Sequence, residues 1–423
     1  MDNILILGAG IYQVPLIKKA RQLGYRVLVC TIPGNYPGIS FADEVFYADT
    51  TNSEECLQIA ENNHIAAVCT AGTDVALPTL GRIVDTLHLH GPSEESALYS
   101  SNKFLMKEAF SKGHVLSAAY RRVHNYDECV EAARSIGFPC VLKVVDSSGS
   151  RGIEVVKRED ELPSAYQYVL QYTKQKYILV EEFLAGEEFG AQAFVYEGKV
   201  AFVMAHSDIV FHGATGVPVG HSVPLDASLQ ISKEAIAEET QKAIKALHID
   251  NSAVNIDFML VDGKPYVLEV GARCGATGLA ELVSLNYGID YYEVIIRAAL
   301  GNLDMNLLTN LSSMQAATVL LITSDTSGIL KSYNQHISHP QLIDYALDYS
   351  IGDHVNKFRI GPDRIGQVIA IGDSAENSLK FAQNVIQQIN IVIENDMNTK
   401  ETNWGGVKVE VICSPLFKLP LAA

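Results

Sequence analysis

The sequence predicts an α/β region followed by two α+β regions. Strand and helix patterns alternate at the start of the chain, antiparallel hairpins dominate its middle, and short strands with one long helix close it. In the first region apolar runs at Ile4 to Leu7, Arg26 to Cys30 and Ala66 to Thr70 are separated by helical periodicity from about Gln13 to Leu23 and near Ser53 to Asn62. Such alternation implies a parallel sheet, since parallel neighbours need a crossover helix. Gly8-Ala9-Gly10 after the first strand invites a dinucleotide reading. The third glycine position of that fingerprint is Gln13, however, and the second strand ends Val29-Cys30-Thr31 with no acidic residue for a ribose, so the glycines are expected only to make a tight turn.

The second region opens with helices from about Asn102 to Ser111 and from Tyr126 to Gly137, then enters the strand Pro139 to Lys143. Glu187 to Val203 reads as two strands around a Glu197-Gly198-Lys199 turn, and Ser232 to His248 is an amphipathic helix with Ile236, Ile244 and Leu247 on one face. From about Ser312 a third region carries the strand Ala317 to Thr323, further short strands, a helix near Ala375 to Ile389 and a last strand Val407 to Ile412.

Composition narrows the function classes. A chain of 423 residues with 48% hydrophobic and 19% charged residues is an ordinary globular protein with room for real cores. Its 49 acidic against 32 basic residues give a net charge of −17, which disfavours nucleic acid and anionic membranes as partners. No apolar run reaches a membrane span and no basic segment precedes the first strand, so a cytoplasmic protein is expected. The 7 cysteines are scattered without a CxxC pair or a Cys/His cluster, which indicates reduced thiols rather than disulfides or zinc.

Against that background the segment Val254 to Gly275, VNIDFMLVDGKPYVLEVGARCG, stands out. It reads as two apolar strands joined by a tight turn, each carrying one carboxylate, Asp257 and Glu269, and buried carboxylates need partners. A three-residue loop Asp262-Gly263-Lys264 would set Val261 against Pro265 and bring Asp257 opposite Glu269, whereas a two-residue loop would put them on opposite faces. Converging carboxylates suit a hard divalent cation that also holds phosphates, with Arg273 available to meet those phosphates. Taken alone, such a pair more often faces water.

Other segments supply phosphate chemistry. Lys143 ends an apolar strand and precedes Asp146-Ser147-Ser148-Gly149-Ser150-Arg151-Gly152, where small residues let backbone N–H groups close over phosphate oxygens and Gly149 and Gly152 tolerate positive φ. The Walker spacing is absent, and in isolation this is also a plain hairpin. Backbone along Glu182, Phe183 and Leu184 is placed to read an adenine edge, and Glu188 to accept ribose hydroxyls. Asn102-Lys103 opens a helix whose lysine can reach a phosphate from the other side, although a lone helix lysine usually faces solvent.

The ordered series Asn102-Lys103, Lys143 with SSGSRG, VEEFLAGEE, NID and EVGAR resembles the ATP-grasp enzymes over about half the chain, and most closely their carboxylate–amine ligases. The resemblance implies a Rossmann-like pre-ATP-grasp domain over 1–101 that binds no nucleotide, a two-lobed ATP-grasp domain over 102–311 and a small α+β C-terminal domain over 312–423. It implies ATP and Mg²⁺, with Mn²⁺ as a substitute. Lys103 and Lys143 would bind phosphates beneath Ser148, Gly149, Ser150 and Gly152, with Glu181, Glu182, Phe183 and Leu184 around the adenine and Glu188 on the ribose. Asp257 and Glu269 would hold the metal, with Arg273 and Lys143 in catalysis. A carboxylate would become an acylphosphate that an amine attacks, releasing ADP and phosphate.

Within the family, EVGAR-CGATG and a C-terminal region containing Gly352-Asp353 and Asp363-Arg364-Ile365-Gly366 look most like L-amino-acid ligases and carnosine-synthase-like enzymes. Two positions depart: Gly271 stands where many relatives have a metal-binding asparagine, and Val144 where proline is common. The substrates expected are a small carboxylate, in first place an amino acid, and an amine, approaching His206, His212, His221, Gly275 and Thr277; a homodimer is compatible. Phosphoryl transfer needs positioning and charge neutralisation rather than a protein nucleophile, and Cys274 reads as a packed thiol. The alternatives are a ligase or carboxylase of nucleotide biosynthesis, similar to glycinamide ribonucleotide synthetase, and an ATP-binding protein without turnover.

Overall fold

The computed structural model describes residues 1–146, 152–212 and 216–395. Ser148, Gly149, Ser150, the side chain of His212 and the strand expected at Val407 to Ile412 lie outside the described residues. The chain forms two compact units, Met1–His206 with Ala227–Met314, and Ser207–Asp226 with the chain from Gln315 onward.

The first unit begins with the expected parallel sheet, four strands in the order Glu44–Tyr47, Arg26–Thr31, Asn3–Leu7, Ile65–Cys69. Its central strands are apolar without interruption, as strands covered on both faces must be. Helices Val14–Gln22 and Leu77–Leu87 each carry a proline in the first turn, where no N–H partner is lost, and Ser53–Asn62 is capped by the Asn52 side chain. Gln13 is buried and donates to the Ala71 carbonyl; its amide oxygen lies about 3.1 Å from where a Cβ on Gly8 or Gly10 would stand. The Gln13 side chain thus lines the glycine turn.

A four-stranded antiparallel sheet follows, ordered Tyr120–Val123, Ile178–Glu182, Cys140–Lys143, Ile153–Val156. Helices Tyr126–Ile136 and Leu162–Val169 close a core of Cys129, Ala133, Leu142, Val156, Leu162 and Val180 with it. Helix Lys103–Lys112 is started by Asn102, whose side chain accepts from the Phe104 and Leu105 amides at 3.0 and 3.1 Å.

The unit's other sheet runs Lys264–Gly271, Ser252–Val261, Glu187–Tyr196 and then the start of Lys199–His212. Phe189 and Phe258 stack across adjacent strands at 5.1 Å, and the buried Tyr291 donates its hydroxyl to the Ala193 carbonyl at 3.1 Å, tying helix Tyr291–Ala299 to the sheet. In the second unit Ser207 to His212 pairs with Gly216–Val223, followed by Ala316–Ile322, Gly366–Gly372 and Leu342–Leu347. Helix Ala375–Ile389 packs Ala382, Val385, Ile386 and Ile389 into that unit's core, beside a three-stranded sheet of His354–Val355, Gly328–Ser332 and Val392–Asn395. Among the described residues no helix is long and apolar enough to cross a membrane.

Candidate active site

The hairpin from Ser252 to Gly271 brings its carboxylates together by a route other than the one expected. The turn has two residues, Asp262 and Gly263, both at positive φ, with Val261 paired to Lys264. This is the mirror-image turn that suits the strand twist. A straight ladder from it would set Leu268 opposite Asp257. Instead the pairing runs Phe258 with Val267 and then Asp257 with Glu269, so Leu268 is a bulge residue and Glu269 swings onto the Asp257 face. The alignment expected from the sequence is present; the three-residue loop proposed for it is not.

Asp257 is held from behind by a polar chain in otherwise apolar strands. Asn255 Nδ2 donates to Asp257 Oδ1 at 3.1 Å, Gln192 Nε2 to Asn255 Oδ1 at 2.6 Å, and the Gly275 amide to Gln192 Oε1 at 2.8 Å. Gly275 is packed so closely that a Cβ there would meet Leu279 at 2.3 Å and Asn255 at 2.7 Å. Gly190 pairs with Asp257 across the next ladder, and a Cβ on it would strike the His206 ring at 2.3 Å. Paired residues share a face, so the absent side chain at 190 lets buried His206 lie on the face that carries Asp257.

Three lysines meet two carboxylates beside the hairpin. Lys103 Nζ is 2.7 Å from Glu269 Oε1, while Lys143 and Lys107 are 3.0 and 3.5 Å from Glu181 Oε2. Glu181 is only 2% exposed and Lys107 3%, and Lys107 also donates to Ser117 Oγ at 2.7 Å. Burial alone would push the Glu181 carboxyl up, but Lys143 and Lys107 outweigh it and hold it below the ordinary value. Burial pushes Lys107 down. Lys103 is also depressed by burial, yet Glu269, Asp74 and Glu181 raise it overall. The Lys103 amide bonds the Val145 carbonyl at 3.2 Å, which draws the helix start to the strand that ends in Lys143.

The segment beyond Lys143 is pinned at both feet. Asp146 accepts from Thr173 Oγ1 at 2.6 Å and the Lys174 amide at 3.0 Å, and Gly152, at φ +68°, offers its carbonyl to the Val144 amide at 3.0 Å. After Ile178–Glu182 the chain leaves its four-stranded sheet with Glu182 and Phe183 exposed and Leu184 buried, and enters the other sheet at Glu187–Tyr196 with Glu188 exposed. The Glu182 side chain accepts from the Ala119 amide at 3.2 Å.

Arg273 is the last piece. Its Nη2 is 2.7 Å from Asp74 Oδ2 and its Nη1 3.3 Å from the Cys274 carbonyl. The Gly72 amide reaches the Cys274 carbonyl at 3.2 Å, and Tyr12 Oη lies 3.4 Å from Thr277 Oγ1, so loops of the parallel-sheet region hold the segment after the hairpin at several points. Burial pushes the Cys274 thiol up to about 12, which makes it inert packing. In the second unit His221 Nδ1 is 2.7 Å from Asp208 Oδ1.

Comparison with known proteins fits this arrangement. Residues 100–277 match the ATP-grasp domain model and residues 320–394 the model of L-amino acid ligase C-terminal domain 2. The chain is similar to the crystal structure of phosphoribosylglycinamide synthetase from Anaerococcus prevotii, at 36% identity and a TM-score of 0.79, covering 93% of this chain and 99% of that one. The chain belongs to the ATP-grasp superfamily. Similarity extends to L-amino acid ligase from Bacillus licheniformis (19% identity, TM-score 0.77, covering 93% and 99%), a likeness of fold. It also extends to a formate-dependent phosphoribosylglycinamide formyltransferase of Bacillus subtilis (23% identity, covering 71% and 77%). The protein is an ATP-grasp ligase with an L-amino acid ligase C-terminal domain, and one structure of like fold, the biotin carboxylase domain of Hydrogenobacter thermophilus 2-oxoglutarate carboxylase (16% identity, TM-score 0.74), was solved with MgADP.

For this ATP-grasp chain, the structure gathers Lys103, Asp257, Glu269 and Arg273 at one place, and Lys143 with Glu181 on the neighbouring sheet. The carboxylate oxygens of Asp257 and Glu269 share one face, and one of them already draws an ammonium, a donor set that fits a hard cation. Sequence reasoning missed Lys107, Asp74, Gln192 and Asn255. Lys107 follows Lys103 by one helical turn, a spacing that marks a shared face, and Asn255 stands two residues before Asp257 on the same strand face. Asp74 carries no comparable mark. A cavity of about 780 Å³ lined by Phe104, Lys112, Lys242, Lys245 and His248 among others contains none of these residues, and it opens on the other face of helix Lys103–Lys112.

Proposed function

We propose that the protein joins a small carboxylate, an amino acid, to an amine in an amide bond, at the cost of one ATP converted to ADP and phosphate. The observation that carries the amino-acid reading is the match of residues 320–394 to the C-terminal domain of L-amino acid ligases. In this reading residues 1–101, 102–311 and 312–423 are the three domains. Lys103 and Lys143 bind phosphate oxygens, and Ser148, Gly149, Ser150 and Gly152 cover them with backbone N–H groups. Backbone along Glu182, Phe183 and Leu184 borders the adenine, Glu188 accepts ribose hydroxyls, and Glu181 orients Lys143 from inside the sheet.

Asp257 and Glu269 would hold Mg²⁺, which when bound neutralises and orients the phosphoryl group in transfer. A substrate carboxylate oxygen takes the γ-phosphoryl group and ADP departs; Arg273 stabilises the charge that builds on it. The amine nitrogen then attacks the acyl carbon, phosphate leaves, and the nitrogen loses a proton. His206 on the Asp257 face is the candidate acceptor of that proton, with His212, His221, Gly275 and Thr277 as substrate contacts.

A second reading keeps the chemistry and changes the amine to a ribosyl amine, and the 36% identical phosphoribosylglycinamide synthetase favours it. Phosphate release measured over a panel of amino-acid pairs, with ribosyl amines and bicarbonate alongside, separates the readings. Release that needs two amino acids and yields a dipeptide supports the first; release confined to ribosyl amines or bicarbonate removes it.

A further inference from the structure

We propose that Asp74 is a positioning residue of the ligase site: it holds the Arg273 guanidinium in its working orientation, and Gly271 is glycine because Asp74 occupies the space of its side chain. The inference rests on the reading that Arg273 acts on the phosphoryl group in transfer. Asp74 lies in the loop after strand Ile65–Cys69, 199 residues from Arg273 in sequence, and its Oδ2 sits 2.7 Å from Arg273 Nη2. Arg273 Nη1 also donates to the carbonyl of the neighbouring Cys274 at 3.3 Å, a marginal bond. Arg273 Nε is buried with no hydrogen-bond partner among the described residues, so one strong charge-assisted bond sets the plane of a group with five donors.

Position 271 explains how the carboxylate gets there. Residues 269 and 271 lie on one face of their strand, so a side chain at 271 would point toward the same space as Glu269. A Cβ built on Gly271 would stand 2.8 Å from Asp74 Oδ1 and 3.3 Å from Arg273 Cζ. An asparagine's own side-chain oxygen lies about 2.4 Å from its Cβ by ordinary bond lengths. Asp74 Oδ1 therefore sits at about the range an oxygen of residue 271 would have. An oxygen at that place beside the hairpin is delivered here from the parallel-sheet region, together with a hold on Arg273.

The test uses the full chain and whichever substrates support ADP formation in the panel, comparing Asp74→Asn, Asp74→Ala, Gly271→Ala and the double variant Asp74→Ala/Gly271→Ala. Asp74→Asn keeps the shape and removes the charge. It is expected to lower kcat by about 10- to 100-fold, with KM for ATP within about twofold, as misplacement of a catalytic group does. Gly271→Ala is expected to lose activity on its own but to cost little further once residue 74 is alanine, so the two losses are not multiplicative. Thermal unfolding of each variant separates folding from function. Unchanged kcat in Asp74→Asn, a change in KM for ATP alone, a lowered melting temperature with kcat preserved, or losses that multiply in the double variant would each overturn the proposal. If the panel yields ADP only with an acceptor other than an amine, the proposed function fails, and the same comparison on that acceptor still decides the role of Asp74.

Discussion

Glu181 shows how much of the site depends on single charges. A carboxylate 2% exposed cannot remain ionised without partners, and the structure gives it two ammonium groups at 3.0 and 3.5 Å. Replacing Lys107 with methionine keeps the packing and removes one. The expected cost is about 1–3 kcal/mol of stability by denaturant unfolding, together with a raised KM for ATP, because Lys143 is then drawn more fully onto Glu181. An unchanged KM would show that Lys143 is indifferent to its neighbour. Since the Glu181 carboxyl is held below its ordinary value of 4.5 in the folded protein, its contribution is complete above that pH and is lost as the pH falls through the lower folded value. Glu181→Gln should therefore flatten the acid limb of the stability profile below about 4.5; an acid limb identical to the parent's would remove the charge from the argument. At Glu269 the amide variant frees Lys103 and weakens the proposed metal set, so Glu269→Gln should abolish turnover with the melting temperature preserved. Near-normal ADP formation in that variant would refute the metal assignment.

At the scale of elements, the hairpin separates what the sequence shows from what it hides. Its strands were legible because apolar residues on both sides of each acid leave no other use for the chain, and the helix at Lys103 because Asn102 is a good cap. The bulge at Leu268 was not, since no residue type marks it; one extra residue changes which acid faces which without altering the pattern. Lys107 was legible in principle from its spacing to Lys103, whereas Asp74 depends on a loop of another region reaching a glycine that looks like a loss. Helices Leu77–Leu87 and Glu94–Ser101 were not read from the sequence either, the first despite the helix-start proline in its first turn and the second having no apolar face strong enough to declare it. The turn admits a clean test. Gly263 has φ +74° and open space around a would-be Cβ, so Gly263→Ala carries backbone strain alone. It should cost about 1–2 kcal/mol in denaturant unfolding and leave kcat in place. A large loss of kcat at that cost would mean that the two-residue turn sets the register of Asp257 and Glu269 more tightly than the bulge does.

For the molecule as a whole, the net charge of −17 implies that an anion such as ATP is attracted by local groups and not by the general field. Those groups, Lys103, Lys107, Lys143 and Arg273, all belong to the first compact unit, as do Asp257 and Glu269. A ligand that binds only folded protein stabilises what it binds, by about 2.7 kcal/mol at a hundredfold excess over Kd. Hydrogen exchange read by mass spectrometry should therefore gain protection with ATP and Mg²⁺ in peptides that cover helix Lys103–Lys112, strands Cys140–Lys143 and Ile178–Glu182, and the Ser252–Gly271 hairpin. Peptides within 315–395 should change far less, and chelation of the metal with EDTA should return the hairpin to its free rate before the others, since in the proposed reading the hairpin's share of the binding runs through two carboxylates. Protection that appears first within 315–395 and leaves the hairpin unmoved would place the nucleotide elsewhere and detach the lysines from its phosphates.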